Sequence, residues 1–190
     1  MSTTYRFDYD EIKSRFDTAA NQITSYRRNS SDQMLFKPSP GTWSARDVCQ
    51  HLVVFGRIYL REIDSAISKT KPIPQREGYY RPRWHFRKLA AFFEPPYKLK
   101  MKTVSAFSPG DEKSVVQALN DLEDVQQKIL NILKQAESAS WDLQKIKGKH
   151  PLISFLSVSL IEYLVLTEVH QRRHFWQIQM IFELYEKKKI

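Results

Sequence analysis

Two histidines four residues apart, His170 and His174, lie in the stretch Thr167-Glu168-Val169-His170-Gln171-Arg172-Arg173-His174-Phe175-Trp176-Gln177, which holds neither glycine nor proline. On a helix that spacing sends both imidazoles out of one side, one turn above the other. Two rings so placed can share one metal ion. The helical period puts Leu156, Ser159, Leu160, Tyr163, Leu166, Thr167, Gln177, Ile178 and Ile181 on the same side. A mostly apolar face turns the pair towards other helices rather than into water. Buried ring nitrogens need partners, and either a metal or a hydrogen-bonded pair of core histidines supplies them.

A second histidine-bearing face lies earlier in the chain. From Ala45 to about Ile67 the face centred on His51 carries Val48, Leu52, Val54, Phe55, Ile58 and Tyr59. Gln171 follows His170 where a metalloprotease H-E-x-x-H helix has glutamate, which excludes that arrangement. No inward carboxylate stands ready as a general base. Glu62 shares the His51 face but lies three turns away. Tyr163, Thr167 and Gln177 share the His170 face and are the candidates to orient a substrate or a water, with Arg173 and Asp47 as supporting or bundle-end partners. The remaining residues of this kind read as structural. Cys49 is a packed thiol on the far side from His51, His85 a loop residue, His150 a helix-start residue and Trp43 a staple over a helix end. Trp176 points away from the histidines, to the surface or a dimer contact.

The elements that must position these side chains are helices. All nine prolines fall at 38, 40, 72, 74, 82, 95, 96, 109 and 151, leaving four long proline-free spans. In the first, Tyr9, Ile12, Phe16, Ala19, Ala20, Ile23 and Tyr26 recur at three- and four-residue steps, an amphipathic helix. The second begins at Ser44, with Asp47 completing a capping box, and carries Gly56 mid-helix, where a neighbouring helix can approach closely. A third is expected from Asp111 to about Ala136, and a fourth from Pro151, at its first turn, to about Tyr185. No strand is expected. The fold class is all-α, a four-helix bundle forming one domain over residues 1–190, with a long crossover, 69–110, between the second and third helices.

Composition narrows the class. At 190 residues, 42% hydrophobic and 27% charged, the chain suits a globular domain. A lone cysteine and no evident signal peptide point to the cytoplasm. Leu152–Leu166 is too short to span a bilayer, so no membrane partner is expected. The net charge is +9, and residues 69–102 hold ten basic against two acidic side chains, nearly the whole surplus. With Tyr79, Tyr80, Trp84, Phe86, Phe92, Phe93 and Tyr97 around it, that segment reads as a solvated loop with its aromatics tucked underneath, or as a lid whose rings fill the bundle mouth and whose charges attract an anionic small molecule. A helix is expected within it near Trp84–Phe93. Nucleic-acid binding is the disfavoured reading of the same pattern.

Three motifs together carry a family likeness. Gly41-Thr42-Trp43-Ser44-Ala45-Arg46-Asp47-Val48-Cys49-Gln50-His51-Leu52 resembles the W-S-x-x-x-x-x-x-H-L entry to the second helix of the DinB/YfiT-like superfamily. His150-Pro151, with His170-x-x-x-His174-x-x-Gln177-Ile178 after it, resembles that family's H-P … H-x-x-x-H-x-x-Q-I segment. Phe107-Ser108-Pro109-Gly110 fits its lead-in to the third helix. The resemblance implies a metal site of three histidines, His51, His170 and His174, in a metal-dependent hydrolase or a low-molecular-weight thiol S-transferase. Three neutral imidazoles leave a divalent ion with an open position, the catalytic pattern, where a water or a thiol co-substrate is activated. Imidazole ligation suits several transition metals, with zinc or nickel favoured here. A homodimer is expected by analogy with similar bundles. The alternative function is a non-catalytic binding or stress-response module, metal-free or with a structural metal.

Overall fold

The computed structural model describes residues 6–70, 79–94, 97, 103–110, 112–153 and 155–189. Helix α1 (Tyr9–Ser25) starts where Asp8 accepts the Glu11 backbone N–H, and it buries Tyr9, Ile12, Phe16, Ala19 and Ile23. A short helix α2 (Ser31–Leu35), capped by Ser30, follows; sequence periodicity does not reveal so brief an element. Helix α3 (Ala45–Lys69) opens with both halves of the Ser44/Asp47 capping box formed. Helix α4 (Trp84–Phe92) lies within the crossover, which here runs from 70 to 114. Helix α5 (Val115–Ser138) and helix α6 (Leu160–Lys189) complete the bundle.

Two expected boundaries differ. The third long helix begins at Val115 rather than Asp111, because Ser114 and Gln117 form the capping box that satisfies its first N–H groups. Asp111 itself, like basic residues 71, 76, 98, 100 and 102, lies outside the described residues. The fourth long helix begins at Leu160 rather than Pro151. Residues Lys147–Lys149 (β1) and Ser157–Ser159 (β2) instead pair as an antiparallel hairpin, so the expectation of no strand fails. His150 makes the turn between them. Its Nδ1 accepts the backbone N–H groups of Leu152 and Ile153, so it caps a turn rather than starting a helix. The hairpin lies on α3, where a Cβ on Gly148 would come within 3.2 Å of the Glu62 carbonyl and 2.7 Å of the Tyr163 hydroxyl.

Helices α1 and α3 each pack against both α5 and α6. At the α3–α5 contact, a Cβ on Gly56 would sit 2.4 Å from Val125 Cγ1, the close approach its mid-helix glycine predicts. Residues Leu160–Gln171 of α6 are all buried, including Glu162 and Glu168. Burying carboxylates requires compensating charge. Arg83 of the crossover grips Glu162 with its backbone N–H and guanidinium, and Arg172 bridges Glu168 and Glu94. Part of the basic crossover is therefore clasped to α6, with Tyr80 and Phe86 buried and Arg81 and Lys88 exposed. His85 lies on α4 rather than in a loop. No helix among the described residues is long and apolar enough to cross a membrane.

Candidate metal centre

Because α3 and α6 are neighbours, His51 meets the α6 pair. Its Nε2 lies 3.3 Å from His170 Nε2, and His174 Nε2 lies 3.2 Å from the same atom. One nitrogen from each of the three lies within 4.8 Å of the others, the one such metal-competent cluster among the described residues. His51 and His170 are 4% and 6% exposed, which leaves little water to solvate a charge.

Hydrogen bonds on the outer edge set the tautomers. The Nδ1–H of His51 donates to the Phe107 carbonyl at 2.6 Å, and the Nδ1–H of His174 donates to Gln177 Oε1 at 2.9 Å. Each neutral ring has one proton, so both Nε2 atoms carry bare lone pairs directed at His170. His170 has one proton to offer two lone pairs, and its own Nδ1 is buried without a partner among the described residues. Without a cation, buried lone pairs stay unsatisfied whichever nitrogen of His170 holds the proton.

Burial pushes all three imidazoles below their usual pKa. For His170 the shift is large, reinforced by the facing His174 and His51 and by Arg173. For His174 burial comes first, then His51, and the ring is pushed down to about 3 although Gln177 opposes the shift. For His51 burial is offset in part by the Phe107 carbonyl. The rings are therefore neutral at physiological pH, the form that ligates metal. Nitrogens around a tetrahedral zinc ion, at bonds of about 2.0–2.1 Å, sit about 3.3 Å apart. The observed 3.2 and 3.3 Å agree with that spacing, and the all-imidazole donor set fits a first-row divalent ion.

Aromatic rings wall the cluster. Phe55 of α3 stacks on His170 with centroids 3.9 Å apart, and Phe93, just past α4, meets the same ring edge-on at 5.5 Å. Trp43 lies 5.0 Å from His51 and 6.5 Å from His174, so the expected staple also forms part of the site wall. Phe93 is one of the crossover aromatics of the lid reading, whereas the carbonyl role of Phe107 is not legible in the motif that contains it. The other candidates scatter. Gln177 reaches His174, and the Thr167 hydroxyl, one turn from His170, is buried with no hydrogen-bond partner among the described residues. The Tyr163 hydroxyl donates to the Lys149 carbonyl and so ties α6 to the hairpin. Asp47 is occupied at the α3 start with Ser44 and Arg46. Arg173 lies over the Tyr97 ring at 5.4 Å, Trp176 packs on Tyr97 at 4.7 Å, and buried Cys49 is pushed up to about 12.

Comparison with known proteins places this geometry. No curated protein matches the chain in sequence. The solved structure of YfiT from Bacillus subtilis, described as a probable metal-dependent hydrolase with an unusual four-helix bundle topology, matches with a TM-score of 0.54. The match covers 91% of this chain and 85% of that one at 15% identity, a likeness of fold. The family model of the DinB superfamily matches residues 10–178, nearly the whole bundle with all three histidines, and the chain belongs to that superfamily.

Proposed function

We propose that the chain is a cytosolic metal-dependent enzyme in which His51, His170 and His174 hold one divalent transition ion, zinc or nickel, and act on a small anionic molecule. The supporting observation is the convergence of three neutral Nε2 atoms at 3.2 and 3.3 Å, two of them with tautomers set from outside the cluster. An ion held there supplies the charge that lowers the pKa of a water or thiol and polarises the substrate. The protein's own residues do the rest. Phe107 and Gln177 keep the Nδ1 protons away from the cluster, Trp43, Phe55 and Phe93 exclude water, and Arg173 adds positive potential that suits an anionic substrate. Thr167, one turn from His170, offers a hydroxyl with no hydrogen-bond partner among the described residues.

Hydrolysis, with water as nucleophile, is the reading that the likeness to YfiT favours. Transfer of a low-molecular-weight thiol is the second reading. It is favoured because no carboxylate hydrogen-bonds to the three histidines among the described residues. Attack by water gains from a general base, whereas a thiol already held as thiolate needs none. A homodimer is part of the proposal.

Elemental analysis of protein purified without an affinity tag tests the reading. About one transition metal per chain is expected, lost in His170→Ala. His51→Ala should stay helical by circular dichroism yet lose metal affinity. A chain that contains no metal and cannot be loaded with one would instead be a non-catalytic module. A panel of ester and amide substrates beside thiol–electrophile pairs then separates the two chemistries.

A further inference from the structure

Just before α6, the turn between β1 and β2 displays large apolar side chains to solvent. Phe155 is 92% exposed, Leu152 46% and Ile153 40%, and Trp84 at the start of α4 is 62% exposed. Described residues on either side of the turn are hydrogen-bonded to one another. Its backbone is closed by hydrogen bonds from His150 to Leu156, Leu156 to Ile153 and Ile153 to His150, besides the two N–H groups that His150 Nδ1 accepts. Arg83, next to Trp84, donates to the Ser157 carbonyl, and Gln144 donates to the Arg81 carbonyl, so α4 and the hairpin form one surface.

The charge on these two segments has a single sign. Residues 79–92 and 143–159 contain no aspartate or glutamate. Arg81, Lys88, Lys147 and Lys149 are exposed on them. Nearby carboxylates are mostly engaged elsewhere: Glu162 is buried under Arg83, and Asp142 is buried beside Lys145. On the neighbouring helix α3, Asp64 is exposed and Glu62, whose carbonyl lies against Gly148, is half-buried. Exposed apolar side chains beside a cationic collar match an anionic lipid surface, where apolar side chains enter the acyl boundary and lysines meet headgroups. Single-stranded nucleic acid would use the aromatic rings and the charges, but it gives Leu152 and Ile153 no role.

We propose that the β1–β2 turn and the start of α4 form a peripheral docking surface for an anionic membrane. The expectation of no membrane partner rested on the lack of a spanning segment, which this surface does not need. The test is co-sedimentation of the full chain with vesicles of phosphatidylcholine alone or mixed with phosphatidylserine, at low and high salt. The chain should sediment with the anionic vesicles at low salt, be released by high salt, and ignore phosphatidylcholine. Leu152→Ser with Phe155→Ser, and separately Lys147→Glu with Lys149→Glu, should each weaken partitioning at least about tenfold, with the thermal midpoint unchanged. As a check that leaves the turn intact, brominated lipid should quench fluorescence in wild type, and the quenching should fall in Trp84→Phe.

Three results overturn the proposal. The wild type could remain in the supernatant with anionic vesicles. A single-stranded oligonucleotide could bind as tightly as vesicles, with the serine variants unaffected. Or the serine pair could convert a dimer to monomer in a chain that binds no vesicles, which would make the tip a contact between copies.

Discussion

Gln177 is the residue whose replacement best probes the site, because it touches the cluster only through His174. Its Oε1 accepts the His174 Nδ1–H at 2.9 Å, which leaves the Nε2 lone pair facing His170. Gln177→Leu keeps the size and helical propensity but removes the acceptor, so the imidazole can rotate or change tautomer. Loss of such an outer partner costs about ten- to a hundredfold in metal affinity, or about 1.4–2.7 kcal/mol. Gln177→Glu keeps an acceptor at the same reach and makes it anionic, so binding should match or exceed that of wild type. Competition with a chromophoric chelator, using zinc and nickel in turn, measures the ratio. The cobalt-loaded proteins should show an altered visible spectrum in the leucine variant alone. Since Gln177 lies at the rim of the cluster, metal-free melting should differ little among the three. Equal affinity in the leucine variant would refute the assigned role. So would parallel losses in leucine and glutamate variants, which would mean that shape rather than proton placement matters.

Two other consequences concern stability. Gly56→Ala gains about 1 kcal/mol of helix propensity but drives a methyl group to 2.4 Å from Val125 Cγ1. Overpacking costs about 1–3 kcal/mol, so a lower thermal midpoint is expected, recovered when Val125→Ala is added. An alanine variant that melts higher than wild type would show that the contact is slack. In the metal-free chain, histidines buried neutral bind fewer protons folded than unfolded, so stability is full above the ordinary imidazole pKa of about 6.5 and declines as pH falls below it. With His174 held at about 3, that ring alone removes about 2 kcal/mol between about pH 6.5 and pH 5. Urea unfolding across that interval checks the slope, which should persist with metal bound because the folded rings are unprotonated either way and the unfolded chain does the titrating. A flat profile in the metal-free chain would contradict neutral burial.

Much of the bundle was legible in the sequence because its causes are local. Proline positions delimit helices, three- and four-residue recurrence marks their buried faces, and the Ser44/Asp47 box forms as its residue types predict. Gly56 likewise announced a close helix contact. The start of α5 was displaced because a nearer capping box, Ser114 with Gln117, outcompeted the Pro-Gly signal upstream. The hairpin was not legible. Its strands have three residues each, too few to show alternation, and they exist because α3 offers a surface that Gly148 can approach.

At the site, the sequence by itself determined that His170 and His174 share a face of one helix, since that follows from a four-residue step on a 3.6-residue period. It also determined that His51 sits in an apolar stripe of another helix. Only the tertiary structure decided that these faces meet, by seating α3 against α6, and that the Nε2 atoms are the ones that converge. That choice was made by the carbonyl of Phe107, 56 residues from His51 in the chain. Helical periodicity records which side of an element avoids water. It holds no record of which distant backbone group will take a ring's proton, because that partner is chosen by packing.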